Sequence, residues 1–217
     1  CLISTKTKET AYFFPLYIYN KGKEIQQKTL TGNITKSESG KQPNFTEDFI
    51  EFIEEQYPNQ KITPEDILGY IYAVLHSPTY REKFNEFLKI DFPRIPFVKD
   101  FRVFKQLSKI GMELIYLHLM KTELKTNTKF DEQGSDFVNF VKYEDNTIHI
   151  NKDQFFDGVP ENAWDFYIGG YKVLDKWLKS RKNRELSGDE MEQFLQIVEI
   201  INQTMAYMKE IDKIKFL

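Results

Sequence analysis

The sequence predicts an α+β fold in which a helical middle and a helical C-terminus pack on a small mixed or antiparallel β-sheet. Helix-start signals recur through the middle of the chain, short aromatic and β-branched runs lie on either side of it, and an apolar stripe at helical spacing closes the sequence. At 217 residues, 41% of them hydrophobic, the chain can bury a substantial core. We expect one domain over residues 1–217, or two closely packed lobes at 1–125 and 126–217.

The first third of the chain should contain one strand, a loop and two helices. Residues 11–19, AYFFPLYIY, have the composition of a strand. Residues 20–44 are polar and rich in Lys, Thr, Ser and Gly, which predicts a loop. An acidic helix should follow over 46–57. The run Thr63-Pro64-Glu65-Asp66 combines an N-cap hydroxyl, a proline at the first helical position and acids in the first turn, so a second helix should run to His76.

Two further helices should occupy the middle of the chain. Ser77-Pro78 repeats the start signal and predicts a helix to about Ile90, which Pro93 and Pro96 then end. A longer helix should follow over 100–121, because apolar residues recur there at helical spacing. These are Phe101, Phe104, Leu107, Ile110, Leu114 and Leu117.

Short strands and two helices should form the C-terminal part. Phe137–Tyr143 and Thr147–Ile150 predict a hairpin that turns at Glu144-Asp145-Asn146. Trp164–Ile168 should be a third short strand, followed by a paired-glycine turn and an amphipathic helix. Ser187-Gly188-Asp189-Glu190 predicts a capping box that opens the last helix.

Composition and termini exclude several classes of protein. No apolar run approaches the roughly 20 residues of a membrane-spanning helix. The chain opens Cys1-Leu2-Ile3, with neither an initiator Met nor a secretory pattern, so we expect a fragment of a longer polypeptide. Its single cysteine excludes an internal disulfide. These features predict a cytoplasmic protein with no membrane partner.

The sequence predicts no catalytic, cofactor-binding or metal site. The three histidines share no short ligand spacing with another His, a Cys or a paired acid. Neither a glycine-rich phosphate loop nor a serine nucleophile elbow is present. Glu123-Leu124-Lys125 matches half of a nuclease metal site, but the nearest upstream Pro-acid pair, Pro64-Glu65, lies on a different element. We therefore expect that the chain is not an enzyme by itself.

Two stretches concentrate basic residues, although the net charge of the chain is only −3. From Gly169 to Glu185 six basic residues stand against two acids, and from Arg81 to Lys105 seven stand against four. Residues 47–66, by contrast, hold seven acids and one Lys. Positioned Lys and Arg side chains hold backbone phosphates, so both stretches are candidate contacts for a polyanion. A solvated helix end or a salt-bridged helix surface would give the same pattern and stays an alternative.

Aromatic residues accompany the second basic stretch. Tyr171, Leu174, Trp177 and Leu178 recur at helical spacing, which predicts that Tyr171 and Trp177, together with Trp164, are mainly core residues. We do not expect these rings to serve as platforms on which bases stack.

Three strings resemble the C-terminal specificity domain of type ISP restriction-modification enzymes and of related single-chain type II restriction-methylation enzymes. They are YAVLHSPTYREKFNEFLKIDFPRIPF (72–97), LIYLHLM (114–120) and IGGYKVLDKWLKSRKNRELS (168–187). FPLYIY at 14–19 and the closing helix to Asp212 also fit, so the resemblance spans nearly the whole chain. The family often has Gly where this chain has Asn183, within the basic elbow of residues 181–184. Asn tolerates a left-handed backbone, so the turn should survive.

The resemblance implies a target recognition domain that binds double-stranded DNA and directs adenine-N6 methylation and cleavage by other domains. In that family the domain follows an adenine-N6 methyltransferase domain, in a polypeptide that also holds a nuclease and, in type ISP, a helicase-like motor. The parent would therefore use S-adenosylmethionine, Mg²⁺ and, with the motor, ATP, while this chain would hold none of them. Neither an Asn-Pro-Pro-Tyr-like adenine pocket nor a cofactor-binding glycine motif is present.

We expect basic residues to hold phosphates, while loops and the strand region 137–156 read base edges in the major groove. The predicted DNA-binding residues are Arg81, Lys83, Arg94, Lys99, Arg102, Lys172, Lys176, Lys179, Arg181, Lys182 and Arg184. The runner-up is a scaffold or domain-coupling module of the same kind of enzyme, whose basic elbow contacts another domain of the parent.

Overall fold

The computed structural model describes residues 14–19, 26–28, 34–36, 40–131 and 133–217. The chain divides into two compact units, Cys1–Met112 with Ile214–Leu217 and Glu113–Lys213. The predicted α+β fold is confirmed, because the described residues form helices and small sheets whose strand pairs are all antiparallel. None of the helices described is long and apolar enough to cross a membrane.

Two short antiparallel strand pairs open the first unit: β1 (Tyr17–Tyr19) with β4 (Lys41–Pro43), and β2 (Gln26–Lys28) with β3 (Ile34–Lys36). Strand β1 confirms the end of the strand predicted over 11–19, whose residues 11–13 lie outside the described part of the chain. The loop predicted over 20–44 is wrong at β2, β3 and β4. Strands pair through main-chain hydrogen bonds, so a polar sequence does not prevent pairing.

The helices of the first unit are α1 (Glu47–Gln56), α2 (Pro64–His76), α3 (Pro78–Lys83), α4 (Asn85–Leu88) and the beginning of α5 (Phe101–His118). The first three begin at side-chain caps. Thr46 accepts a hydrogen bond from the third residue of α1, and Thr63 forms a reciprocal capping box with Asp66. Both predicted helix starts are confirmed.

The helix predicted from Ser77 to Ile90 is wrong in its length. The backbone leaves the helical conformation at Phe84, with φ −110° and ψ 16°, so that α3 and α4 are separate. The ring of Phe84 packs on Tyr80, with 4.9 Å between the ring centroids. Helix α5 confirms the long helix predicted over 100–121, but it ends at His118. Two residues later Met120 has a positive φ of 55°, which is not a helical conformation.

Helices α2 and α5 cross at two glycines. A Cβ atom on Gly111 would lie 1.8 Å from the carbonyl oxygen of Gly69, and one on Gly69 would lie 2.3 Å from that of Ser108. Both distances are far shorter than van der Waals contact, so only glycine lets these backbones approach. Buried rings lie near the crossing, where Tyr70 stacks on Phe104 with 5.0 Å between the ring centroids.

Tyrosine hydroxyls hold the irregular segment between α4 and α5. Tyr80 donates to the carbonyl of Arg94 at 2.8 Å, Tyr70 to that of Pro96 at 2.5 Å, and Tyr57 to that of Val98 at 2.5 Å. Burial raises the pKa of Tyr70 to about 12, so its hydroxyl keeps the proton that it donates. These bonds satisfy carbonyls that have no helix or strand partner.

A four-stranded antiparallel sheet lies in the second unit. Its strands, in spatial order, are β5 (Lys129–Phe130), β8 (Phe155–Asp157), β7 (Thr147–His149) and β6 (Lys142–Glu144). The predicted hairpin is confirmed. Its turn is Asp145-Asn146, both with positive φ, and is one residue shorter than predicted because Glu144 belongs to β6. The strand predicted from Phe137 is wrong before residue 142. That part bridges instead to the segment after the basic elbow, with Phe137 opposite Glu185.

The rest of the second unit consists of α6 (Glu161–Trp164), the hairpin of β9 (Tyr167–Ile168) and β10 (Tyr171–Lys172), α7 (Val173–Lys179) and α8 (Gly188–Lys213). The strand predicted over Trp164–Ile168 is therefore wrong at Trp164, which ends a helical turn opened by Pro160. Sheet and helices share one apolar core. Its fully buried members include Ile148, Phe156, Leu174, Leu178, Phe194 and Val198.

Candidate nucleic-acid interface

Two adjacent glycines turn the β9–β10 hairpin. Gly169 has a φ of 61°, and a Cβ atom on either glycine would meet nothing within 4 Å. The turn therefore needs a residue that tolerates a left-handed backbone, and it stands clear of its surroundings. Helix α7 follows β10 at once and buries Leu174 and Leu178, which fixes the hairpin next to the core.

An open cleft of about 640 Å³ lies beside this hairpin. Its wall combines lysines, one acid and aromatic rings, and we refer to it as the lysine cleft. The lining residues are Val141, Lys142, Tyr143, Trp164, Tyr167, Gly170, Tyr171, Lys172, Asp175, Lys176 and Lys179. It thus joins three residues predicted to bind DNA (Lys172, Lys176 and Lys179) with one that the sequence did not single out, Lys142.

Acidic side chains hold three of these four lysines. Lys172 donates to Asp165 at 2.5 Å, Lys179 donates to Asp175 at 2.7 Å, and Lys142 pairs with Glu144. The hydrogen bond to Asp165 raises the pKa of Lys172 above its ordinary value. The ion pairs keep the ammonium groups at the cleft and lower its net positive charge.

Aromatic rings orient the lysines further. The Nζ atom of Lys176 lies 3.3 Å from the centroid of the Tyr171 ring, and that of Lys172 lies 5.4 Å from the centroid of Trp164. Trp164 in turn stacks on Tyr143, with 5.1 Å between the ring centroids and 7° between the ring planes. Cations over ring faces are favourable contacts, so both lysines are positioned before any ligand arrives.

The basic elbow is built into the fold of the second unit. The amide of Asn183 donates to the carbonyl of Val138 at 2.8 Å, and the amide of Val138 donates back to the carbonyl of Arg184 at 2.9 Å. Asn183 has a φ of 65°, which confirms the left-handed turn expected at this position. These bonds explain why residues 137–141 do not complete the predicted strand.

Glu190 engages both arginines of the elbow. Its carboxylate accepts from Arg181 Nε at 2.8 Å and from Arg184 Nη2 at 2.6 Å, and it also accepts from the amide of Ser187. The amide of Glu190 donates to Ser187 Oγ, so the predicted capping box is confirmed. Hydrogen bonds from Arg184 lower the pKa of Glu190 to about 2, against the smaller opposing effect of burial. The guanidinium of Arg181 also lies 3.4 Å from the centroid of the Trp177 ring.

The predicted core residues near the elbow divide into two groups. Trp164 and Trp177 are partly buried against the apolar core, as predicted. The prediction is wrong for Tyr171, which is 54% exposed. Tyr171 ends the hairpin rather than starting the helix, so the helical spacing that linked it to Leu174 does not apply.

The basic residues of the first unit make mostly local contacts. Arg102 pairs with Asp100 at 3.0 Å, and Arg81 Nε donates to the carbonyl of Leu75 at 2.5 Å. Lys83 and Arg94 face rings, with Lys83 Nζ 5.6 Å from the centroid of Phe84 and Arg94 Cζ 5.4 Å from that of Phe87. Lys99 and, in the second unit, Lys182 are exposed. For all eleven residues, a role in DNA binding stays a prediction.

Histidines and acids form no metal-binding group in the described parts of the chain, where no cluster of three or more His, Cys, Asp or Glu could hold a metal ion. His118 Nε2 lies 2.8 Å from Thr204 Oγ1, and His76 Nδ1 lies 2.8 Å from the carbonyl of Tyr72. Both histidines thus have a hydrogen-bonding partner within the fold.

Comparison with known proteins gives one family and several similar folds. The family model described as the Type ISP C-terminal specificity domain matches residues 1–210. The ATP-dependent Type ISP restriction-modification enzyme LlaBIII bound to DNA is 20% identical, with a TM-score of 0.65 over 94% of this chain. The DrdV–DNA complex is 21% identical, with a TM-score of 0.64 over 81% of this chain. A nuclease-deletion mutant of the Type ISP enzyme LlaGI, in complex with a DNA substrate mimic, is 22% identical with a TM-score of 0.56 over 71%.

This chain covers 14% of the LlaBIII chain, 14% of the LlaGI chain and 20% of the DrdV chain. No curated protein sequence gave a significant match.

Proposed function

Because the chain belongs to the Type ISP C-terminal specificity domain family, we propose that it is a target recognition domain that binds double-stranded DNA. In this proposal it works in the cytoplasm as part of a longer restriction-modification polypeptide and directs adenine-N6 methylation and cleavage by other domains. LlaBIII, LlaGI and DrdV, which share its fold, are each described in complex with DNA or a DNA mimic, and this supports the proposal.

The lysine cleft is the observation that carries the proposal. Four lysines line it, three of them held by partly exposed carboxylates. Ion pairs of this kind contribute at most about 1 kcal/mol, so a DNA phosphate can replace a carboxylate at little cost. Rings beside the ammonium groups hold their direction, which reduces the entropy lost on binding.

We propose that this chain catalyses no reaction by itself. Its sequence has no adenine-pocket motif, no cofactor-binding glycine motif and no phosphate loop. S-adenosylmethionine and Mg²⁺, and ATP where the parent carries a helicase-like motor, would belong to other domains of the parent polypeptide. The methyltransferase domain would face this one across the duplex while the target adenine is flipped out.

Binding of a fluorescent duplex, followed by anisotropy over a series of salt concentrations, tests the proposal. We expect a Kd of roughly 10⁻⁴ to 10⁻⁶ M at physiological salt, because the isolated chain lacks the methyltransferase side of the clamp. Replacing both Lys176 and Lys179 by Ala should weaken binding to every sequence and reduce the slope of log K against log salt by about 2. Lys209→Ala is the matched control, since Lys209 is exposed on α8, which contributes no residue to the cleft. A slope reduced by about 1 in Lys209→Ala, which removes one charge, or no binding by the wild type, would contradict the proposal.

The basic elbow needs a different variant. Arg181 and Arg184 support the start of α8 through Glu190, so replacing them would disturb the fold as well as a phosphate contact. Lys182 is exposed and forms no ion pair among the described residues. Lys182→Ala therefore tests the elbow alone, and we expect it to reduce the salt slope by about 1.

One observation favours the runner-up, a domain-coupling module. Several large apolar side chains of the first unit are exposed, among them Phe14, Phe87, Ile90 and Phe92. The rings of Phe14 and Phe92 meet edge to face, with 5.5 Å between their centroids. Exposed apolar patches often mark protein contacts. If the chain showed no salt-dependent DNA binding, this function would replace the one proposed.

A further inference from the structure

The tip of the β9–β10 hairpin is the most exposed apolar feature of the second unit that also lies next to cations. Tyr167, Ile168 and Tyr171 are 53%, 67% and 54% exposed. Between them lies the Gly169-Gly170 turn, where a methyl group on either glycine would meet no neighbouring atom within 4 Å. Only the two glycines and the exposed Ile168 project without close neighbours, because Lys176 lies over the ring of Tyr171. A narrow turn of this kind can enter a concave ligand without moving the core beneath it.

The lysines next to this tip indicate what kind of ligand it would contact. Lys172 ends the hairpin, and Lys176 and Lys179 follow on α7, so ammonium groups stand behind the apolar tip. A protein partner would need both an apolar pocket for the tip and carboxylates placed at its rim for these cations. Duplex DNA matches both parts, since it presents phosphates along the rim of a groove whose floor carries base edges.

We propose that the β9–β10 hairpin enters the major groove of duplex DNA and that Ile168 contacts the C5-methyl group of a thymine there. The inference rests on the proposed function and assigns it a specificity-determining residue outside the region 137–156. The major groove admits a two-stranded β-ribbon, and the thymine methyl is its apolar marker. Ile168 has no polar atom in its side chain, so it can select by apolar contact alone.

The tip and the base of the hairpin should contribute differently to DNA binding. Ile168 lies next to the turn, whereas Lys172 pairs with Asp165 and reaches the ring of Trp164 at the base of the hairpin. Removing Ile168 should therefore change which sequence is preferred, while removing the cleft lysines should weaken binding to all sequences alike.

The test uses the wild-type chain, Ile168→Ala and a control, Ile90→Ala, which removes the same atoms from an exposed position in the first unit. A duplex is first selected by the wild type from a random-sequence pool, and each thymine is then replaced by deoxyuridine. Replacing the contacted thymine removes one buried methyl contact, so the affinity of the wild type for that duplex should fall about fourfold. We expect Ile168→Ala to bind the selected duplex about fourfold more weakly and to be insensitive to deoxyuridine, and Ile90→Ala to behave as the wild type.

Several outcomes would overturn the inference. Equal affinity of Ile168→Ala and the wild type would show that the tip does not contact the bases. If deoxyuridine changed the affinity of both proteins equally, Ile168 would not be the residue that contacts the thymine methyl. If deoxyinosine in place of deoxyguanosine, which removes a minor-groove amino group, distinguished them instead, the hairpin would lie in the minor groove. In these cases the wild type still binds DNA, whereas its failure to bind would refute the proposed function and this inference with it.

Discussion

Replacing Glu190 by Gln should destabilise the second unit, because one carboxylate serves the helix cap and both arginines of the basic elbow. The Ser187 amide can still bond to the amide oxygen of Gln, so the cap survives in this variant. What is lost is the charge that faces Arg181, whose side chain is 19% exposed, and Arg184, whose side chain is 48% exposed.

The magnitude follows from these two contacts. A hydrogen bond between charged groups contributes about 1.5–3 kcal/mol, and the less exposed Arg181 contact should retain the lower part of that range. The more exposed Arg184 pair adds at most about 1 kcal/mol. Since Gln keeps weaker, neutral hydrogen bonds, we expect Glu190→Gln to lower the free energy of unfolding by about 2 kcal/mol near neutral pH. Glu190→Ala also loses the cap bond and should cost about 1 kcal/mol more.

The stability difference between the wild type and Glu190→Gln should depend on pH in a defined direction. The pKa of Glu190 is lowered to about 2 in the folded protein, below its ordinary value. A carboxylate of this kind stabilises the fold fully above its unfolded pKa, near 4.3, and the contribution is lost as the pH falls toward the folded pKa. The difference between wild type and Glu190→Gln should therefore be constant above about pH 5 and shrink progressively below it.

Urea unfolding followed by circular dichroism at several pH values measures this difference, and Trp177 fluorescence reports the loss of the Arg181 contact above its ring. Glu192→Gln, an exposed carboxylate on the same helix, is the matched control and should change stability little. A stability difference that stayed the same from neutral pH down to about pH 3 would refute the reasoning, since the effect could not then arise from the charge of Glu190.

Three further predictions concern backbone contacts and the cleft. Gly111→Ala should destabilise the first unit by about 2–3 kcal/mol or more in thermal unfolding, because its Cβ would collide with the main chain of Gly69, whereas Gly188→Ala, in open space, should be nearly neutral. Asn183→Val should lower stability by about 1–2 kcal/mol because its φ of 65° disfavours a β-branched residue, while Asn183→Gly should match the wild type; equal stability of both variants would be inconsistent with this turn. Asp175→Asn should strengthen DNA binding severalfold at low salt by releasing Lys179 from its ion pair, and weaker binding would indicate that the carboxylate itself orients the lysine for DNA.

Signals that act over a few residues allowed correct predictions of much of the fold. The starts of α2, α3 and α8 were predicted because a cap is made by residues three apart, as in Thr63 with Asp66. The left-handed turn at Asn183 was likewise predicted from one side chain. By contrast, the helix predicted from Ser77 to Ile90 failed at Phe84, where packing against Tyr80 accompanies the break and no Gly or Pro marks it.

The strand and site predictions failed where the answer depended on a distant segment. Residues 137–141 have strand composition, but Val138 pairs with the basic elbow, more than 40 residues later in the sequence, instead of extending β6. Tyr171 fits the helical stripe of α7 by spacing, yet it lies in the hairpin and is exposed. Lys142 had no signal of its own, because only the folded sheet brings β6 beside the hairpin.

By itself, the sequence determined the α+β class, the capped helices, the family resemblance and the two concentrations of positive charge, since each of these depends on residue type and short spacing. Only the tertiary structure decided which cations gather at the lysine cleft and which support the start of α8. Glu190 engages Arg181 and Arg184, whereas Lys172, Lys176 and Lys179 meet Lys142 at one cleft. The physical reason is that charge density is a local property of the chain, while the pairing, burial and direction of each charge depend on segments that become neighbours only when the chain folds.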